Sequence, residues 1–202
     1  MSRFEASIPP DYFEAMYAAD PDPWRFADSD YERAKYAATL DALPRERYAN
    51  ALEIGCSIGV LTRHLAARCD ALLAIDVAEG ALQQARRRCA DLQHVRFAQR
   101  RVPNDWPDAS YDLILLSEVV YYLDPSDVSR LADRIRSSTA PEADVVLVHW
   151  LGDTHYPLSG DAAAELFTAA SADFAQPRLL RRTDAYRLDV LRCRNAATRA
   201  GS

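Results

Sequence analysis

From Tyr48 onward, short apolar runs alternate with amphipathic stretches. This alternation is typical of βα units that build a mainly parallel sheet. It predicts strands over residues 50–54, 71–75, 95–98, 112–117 and 144–150. It predicts helices between them over residues 60–68, 79–90 and 126–139. Because each connection is long enough for a crossover, the strands can run parallel.

The two ends of the chain follow other patterns. Helical patterns at 11–19 and 29–43 come first, and Ser29 and Glu32 stand at the spacing of a capping box. After a short helix near 161–170, apolar runs at 174–182 and 186–193 are joined so tightly that they predict an antiparallel hairpin.

The expected fold is therefore α/β. It has a mainly parallel, Rossmann-like sheet of seven strands that ends in the antiparallel hairpin. Residues 1–202 are expected to form a single domain, with a helical N-terminal region at about 1–45 and a Rossmann-like core over 46–202.

Composition narrows the class of protein. The chain has 202 residues, of which 49% are hydrophobic and 27% charged, and its net charge is −6, so we expect a soluble globule and no nucleic-acid partner. Its four cysteines show no C-x-x-C pairing, which argues against a metal site or a disulfide framework and favours the cytoplasm. The acidic, proline-containing start does not resemble a secretory signal, and no apolar run is long enough for a membrane span.

A glycine-containing turn at residues 51–62, A-L-E-I-G-C-S-I-G-V-L-T, carries the strongest chemical signal. It joins a predicted strand to a predicted helix, where backbone N–H groups are free and a ligand can approach closely. Gly55 would let the main chain pass under the ligand, and Gly59 would allow close helix packing. Glu53 ends the strand with a carboxylate that faces the same crevice.

The next predicted strand ends in Asp76, beside that turn. A carboxylate there can accept hydrogen bonds from both hydroxyls of a ribose. Nicotinamide enzymes carry G-x-G-x-x-G at this turn, whereas Ser57 stands here in place of the second glycine. These residues therefore indicate an adenosine-bearing ligand other than a nicotinamide dinucleotide.

The spacing E-x-G-x-x-x-G, followed by a strand-terminal acid, resembles motif I and the next acidic motif of class I methyltransferases. The resemblance extends over most of the chain to the NodS-type N-methyltransferases. The segments that carry it are D-P-W-R-F at 22–26, Y-E-R at 31–33, S-E-V-V-Y-Y-L at 117–123 and the loop at 152–161.

This resemblance implies a methyltransferase fold, S-adenosyl-L-methionine as cofactor and an N-terminal helical lid. The cofactor-binding residues that it implies are Trp24, Tyr31, Arg33, Glu53, Gly55, Cys56, Ser57, Gly59, Thr62, Asp76, Val77, Arg101, Val102, Ser117 and Glu118. Arg101 stands where the family often has an acid, so backbone contacts would hold the adenine there.

The implied reaction is N-methylation of a small-molecule amine, such as an amino-sugar or a chitooligosaccharide-like acceptor. O-methylation is the nearer alternative. We expect the protein to be a monomer or a homodimer that binds a small-molecule acceptor. We expect no metal, no nucleic acid and no membrane as a partner.

The catalytic candidates are Glu118, His149 and Tyr121, which lie at predicted strand exits, where open α/β sheets bind ligands. Glu118 would orient or deprotonate an acceptor amine, or else cap the next helix. His149 could accept the proton that an ammonium must lose before attack, or be a satisfied core histidine. Tyr121 and Tyr122 could contact the acceptor or only pack.

Two other classes of protein stay open. Gly55 to Gly59 also satisfies G-x-S-x-G, the nucleophile turn of α/β-hydrolases, although no sheet or oxyanion loop is predicted before it. A cofactor-binding protein without catalysis would keep Glu53, Gly55, Gly59 and Asp76. Trp24, Tyr31 and Arg33 could equally dock a helix without touching a cofactor, and the arginines of the C-terminal hairpin are expected to be solvated edge-strand charges.

Overall fold

The computed structural model describes residues 3–194, so the last eight residues of the expected core lie outside the described residues. Two helices come first, α1 (Pro10–Ala19) and α2 (Asp30–Asp41). The next elements are β1 (Ala51–Ile54), α3 (Val60–Leu65), β2 (Leu72–Asp76), α4 (Glu79–Arg88), β3 (Val95–Gln99), β4 (Tyr111–Ser117) and α5 (Pro125–Ser138). The chain continues with β5 (Thr139–Trp150), α6 (Gly160–Ala170), β6 (Ala175–Arg182) and β7 (Tyr186–Cys193).

The seven strands form one sheet in the order β3-β2-β1-β4-β5-β7-β6. The first five strands pair in parallel, and β7 pairs antiparallel with both β5 and β6. The strand order reverses between β1 and β4, which is the switch point where such sheets bind ligands. The predicted mainly parallel sheet with a C-terminal hairpin is confirmed.

Strand β4 shows how the sequence pattern produces this layered structure. Leu113 and Leu115 pack on the side of the N-terminal helices and α3, whereas Ile114 and Leu116 pack on the other side, against α5 and α6. Successive side chains of a strand point to opposite faces, so a continuous apolar run is stable only where both faces are covered. The run at 113–116 therefore lies in the centre of the sheet.

Some predicted boundaries were wrong. Strand β5 begins at Thr139 rather than at residue 144, because Thr139 pairs with Tyr111 before the register shifts. The predicted helix 60–68 divides into α3 and a 3-10 turn at Ala66–Arg68. The capping box is half formed: the Ser29 hydroxyl accepts the N–H of Glu32, but the Glu32 side chain turns inward to Lys35.

The hairpin arginines are in part paired rather than simply solvated. Arg182 and Arg187 both contact Asp161, and Arg192 binds the buried Asp144. No helix within residues 3–194 is long and apolar enough to cross a membrane.

Candidate functional site

A cavity of about 300 Å³ opens at the carboxyl ends of β1, β2 and β4, at the switch point of the sheet. Its floor is the turn after β1, and residues of α1, α2 and the segment between them form its roof. A pocket of this kind excludes much of the solvent and brings side chains from distant parts of the sequence together.

The floor depends on the conformation of Gly55, which has φ of +80°. A Cβ atom there would stand 2.3 Å from Cγ2 of Val119 and 3.1 Å from the carbonyl oxygen of Ser117. Only glycine fits a left-handed position so close to the backbone and side chains of the segment after β4. The turn after β1 thus lies directly against the turn after β4.

The Asp76 carboxylate holds this floor in place. Its Oδ2 accepts the N–H of Ser57 at 2.9 Å, and its Oδ1 accepts the N–H of Ala78 at 3.0 Å. Burial raises the pKa of Asp76, and these backbone N–H groups oppose that rise. Gly55 and Asp76 thus share one cavity, as the sequence predicts.

Two of the predicted cofactor residues lie behind the floor instead of lining the cavity. Gly59 immediately precedes α3 with φ of +78°, and a Cβ atom there would come within 2.9 Å of Ala85 on α4, so it serves the close helix packing that was expected. Thr62 is fully buried beside Glu53, and its hydroxyl lowers the pKa of that carboxyl. Their role is to support the turn.

Glu53 lines the cavity at the end of β1 with only 1% of its surface exposed. Burial raises its pKa to about 8, and its Oε2 has no hydrogen-bond partner. An unpartnered buried carboxyl oxygen is costly. It is therefore a candidate to receive an N–H group of a ligand.

Replacing Glu53 with glutamine should remove a pH dependence of stability. The folded-state pKa of about 8 lies above the ordinary value of 4.5, so this contribution to stability is complete below about pH 4.5 and lost as the pH rises through about 8. Urea unfolding of the ligand-free proteins at pH 5 and pH 8 measures it. Between pH 5 and pH 8, we expect the free energy of unfolding of wild type to fall by more than about 1.4 kcal/mol relative to that of Glu53→Gln. This figure corresponds to a difference of one pKa unit. Parallel pH profiles would contradict the assignment.

Glu118 lies at the opposite side of the floor, directly after β4, in the left-handed region with φ of +58°. Its Oε1 accepts a hydrogen bond from Lys35 Nζ at 2.5 Å. Its Oε2 accepts one from the Tyr121 hydroxyl at 2.7 Å and one from the Trp150 N–H at 2.9 Å. Glu118 is therefore a carboxylate held by three donors, not a helix cap.

Lys35 is a residue of this site that the sequence analysis missed. It is 2% exposed, and its ammonium also binds Oε1 of Glu32 at 2.9 Å. Burial lowers the pKa of Lys35, but Glu118 and Glu32 together raise it by more, so Lys35 remains charged. No apolar periodicity marks it, because three of the four buried residues of α2, Glu32, Lys35 and Thr39, are polar.

His149 does not line the cavity, although it was predicted as a proton acceptor. It is fully buried, and its Nε2 accepts the N–H of Val120 at 3.2 Å. Burial lowers its pKa to about 4. This corrects the predicted crevice-side position: His149 is a neutral core residue that packs edge-on against Tyr121, with ring centroids 5.3 Å apart.

The N-terminal segment contributes some of the predicted residues and one that was missed. Trp24 and Tyr31 line the cavity, whereas Arg33 is exposed, pairs with Asp30 and does not line the cavity. Tyr17, which was not predicted, reaches from α1 to the floor, where its hydroxyl bonds the Ser57 hydroxyl. No motif marks Tyr17, because only the fold brings α1 over the turn.

The remaining predicted cofactor residues also line the cavity. These are Cys56, Val77, Arg101, Val102 and Ser117. Other lining residues that were not predicted as cofactor or catalytic residues include Phe13, Tyr36, Arg100, Tyr122, Trp150 and Tyr156.

The geometry disfavours the serine hydrolase alternative. The Ser57 hydroxyl bonds the phenol of Tyr17, and the buried His149 bonds Val120 instead. A nucleophilic serine needs a general base within hydrogen-bond reach, and the described contacts of Ser57 include none.

The sheet order, the glycine turn after β1 and the acid that ends β2 define the Rossmann-like methyltransferase fold, which solved methyltransferase structures share. A family profile described as Nodulation protein S (NodS) matches residues 11–143. The chain belongs to the NodS family.

Individual relatives agree with this assignment. Nodulation protein S of Rhizobium tropici is 38% identical over 116 residues, which are 57% of this chain and 48% of that protein. A crystal structure of a proposed methyltransferase from Pseudomonas syringae is 36% identical, covers 80% of this chain and 98% of its own, and superposes with a TM-score of 0.71. The N-methyltransferase NodS from Bradyrhizobium japonicum WM9, solved with S-adenosyl-L-homocysteine, is 23% identical and superposes with a TM-score of 0.75. The match covers 91% of this chain and 97% of that one.

The matched segments span only 48% to 61% of the length of the first three curated relatives.

Proposed function

We propose that the chain transfers the methyl group of S-adenosylmethionine to the nitrogen of a small-molecule amine, with an amino-sugar as the leading acceptor class. The observation that carries the proposal is the shared cavity, in which the cradle formed by Gly55 and Asp76 faces the fixed carboxylate of Glu118. The solved relative named N-methyltransferase NodS, in complex with S-adenosyl-L-homocysteine, supports it.

The cradle fits the proposed cofactor on three observations. Gly55 leaves its floor open where a Cβ atom would not fit, Asp76 lies at the end of β2, and Glu53 has an unpartnered oxygen at the cavity. The residues that we propose to hold the cofactor are Trp24, Tyr31, Glu53, Gly55, Cys56, Ser57, Asp76, Val77, Arg101, Val102 and Ser117.

When bound, the cofactor supplies an already activated methyl group on a sulfonium, so the work left to the protein is positioning. A carboxylate has about four hydrogen-bond acceptor sites, and three donors already occupy Glu118. One site remains for an N–H of the acceptor. Glu118 would thereby orient the nitrogen lone pair, with the Tyr121 hydroxyl beside it.

The N-terminal segment would act as a lid in this scheme. Tyr17 and Trp24 lie edge to face over the cavity, and their ring centroids are 5.6 Å apart. Exclusion of water strengthens the electrostatic interactions of the pocket and keeps the acceptor in place.

Methyl transfer itself is the direct test. The protein is incubated with S-adenosylmethionine and a panel of amino-sugars, simple primary amines and matching alcohols, and the products are detected by mass spectrometry. We expect methylated amines. Methylation of the alcohols alone would establish O-methylation instead, and cofactor binding without any product would indicate a binding protein.

Replacing Asp76 with asparagine should weaken binding of S-adenosylhomocysteine. The substitution removes charge-assisted hydrogen bonds, each worth about 1.5–3 kcal/mol, so we expect a loss of roughly ten- to a hundredfold in calorimetric affinity. Asp70→Asn is the matched control, because Asp70 is an exposed acid just before β2 that pairs with Arg47 at the surface. Equal affinities of the two variants would remove Asp76 from the cofactor site.

A further inference from the structure

The acceptor end of the cavity contains more negative than positive charge. Lys35 carries one positive charge and bridges two carboxylates, Glu32 and Glu118. Glu32 is 7% exposed and lines the cavity, and its Oε2 has no hydrogen-bond partner. With both acids ionised, this cluster of three residues, which we call the α2 charge cluster, carries one uncompensated negative charge.

A buried charge without a counterion is unstable unless a cation or a proton supplies the opposite charge, and burial raises the pKa of Glu32. The other cavity-lining cations, Arg100 and Arg101, follow β3, and β2 and β1 separate that strand from β4. His149 cannot supply the charge either, because burial lowers its pKa to about 4. The described side chains around the cluster thus supply no second cation, so the balancing positive charge comes either from a proton on Glu32 or from a bound cation.

We propose that the α2 charge cluster is a subsite for a cation, and that the acceptor enters the cavity as an ammonium ion, which transfers one proton to the unpartnered Oε2 of Glu32 before its nitrogen lone pair can accept the methyl group. This inference rests on the proposed N-methylation and specifies the charge state of its substrate. Glu32 and Lys35, both from α2, thereby become determinants of acceptor specificity, with Lys35 as the positioning residue that fixes Glu118.

The walls beside the cluster suit such a ligand. Tyr31 and Trp150 line the cavity, and their surfaces are 37% and 40% exposed. The Tyr31 ring already faces the Lys35 ammonium, with Nζ 5.1 Å from the ring centroid. Aromatic faces attract ammonium groups and tolerate the apolar remainder of an organic amine.

The test compares amines with their hydroxyl counterparts. The probes are ethanolamine against ethylene glycol and glucosamine against glucose, titrated at pH 7 into protein saturated with S-adenosylhomocysteine and followed by NMR. We expect at least one amine to bind about tenfold more tightly than its counterpart, and Glu32→Gln to reduce that preference below about threefold. The matched control is Asp30→Asn, which removes the same charge from an exposed position of α2 and should keep the preference.

Equal binding of amines and hydroxyl compounds by wild type would overturn the proposal, and so would a preference that survives in Glu32→Gln. The wild-type comparison is informative even if the variant does not fold. The readout is binding, so it separates this inference from the proposed function: ammonium binding without methyl transfer contradicts only the proposed function. Methyl transfer that is unchanged in Glu32→Gln, with no preference for amines, contradicts only the cation subsite.

Discussion

Replacing Lys35 with methionine is expected to lower the free energy of unfolding by about 3–5 kcal/mol, because it removes one partner of a buried ion pair and leaves charge uncompensated. Lys35 is 2% exposed and is the only cation that the structure shows within ion-pair distance of Glu118 in residues 3–194. Methionine keeps much of the apolar stem, so the loss reports mainly on charge. Urea unfolding at pH 7 measures it.

Two further variants separate charge from packing. Arg33→Met removes a cation from the same helix, but its pair with Asp30 is exposed, so we expect a change of less than about 1 kcal/mol. The triple variant Glu32→Gln, Lys35→Met, Glu118→Gln removes all three charges and should recover most of the lost stability. A triple variant as unstable as Lys35→Met would show that packing dominates.

Replacing Gly55 with alanine is expected to cost about 2–5 kcal/mol of folding stability and to abolish measurable cofactor binding. The left-handed backbone adds about 1–2 kcal/mol for a residue with a side chain, and overpacking adds about 1–3 kcal/mol. The new methyl group would meet Val119 at 2.3 Å, so the turns after β1 and β4 would have to separate. Thermal unfolding and titration with S-adenosylhomocysteine measure the two effects.

Gly80→Ala is the internal control for that substitution. Gly80 lies within α4, where a Cβ atom would be in ordinary contact with Tyr17 at 3.6 Å. Gly80 is the second residue of α4, and alanine is better than glycine by about 0.5–1 kcal/mol only in a helix interior, so this variant should lose no stability. Similar losses in both variants would show that the conformation of Gly55 is not what matters.

The sequence predicts the fold well because the periodicity of apolar residues reports directly on burial. The run 113–116 predicts a strand, and its four side chains fill both faces of the sheet. Boundaries shifted where a local feature overrides periodicity. Strand β5, for example, continues through Pro141 and through Glu142, which has φ of +59°.

The site was predictable only where its residues are close in sequence or belong to a motif. Gly55 directly follows β1 and Asp76 ends the neighbouring strand β2, so the geometry of the sheet brings the turn and the acid together. Lys35 and Glu118 are 83 positions apart, and a buried lysine on a polar-looking helix gives no signal until its partner is known. His149 shows the reverse case, because a polar residue on a strand that leads to the crevice proved to face the core.

The bridges from Lys35 to Glu32 and Glu118 couple the charge of the pocket to the stability of the folded chain. Mutations that adapt the pocket to a neutral compound could replace one acid alone, since Lys35 would remain paired with the other, but loss of Lys35 alone leaves two buried acids without a cation. We therefore expect natural or engineered variants with a new acceptor range to change position 32 or 118 first, and position 35 only together with both.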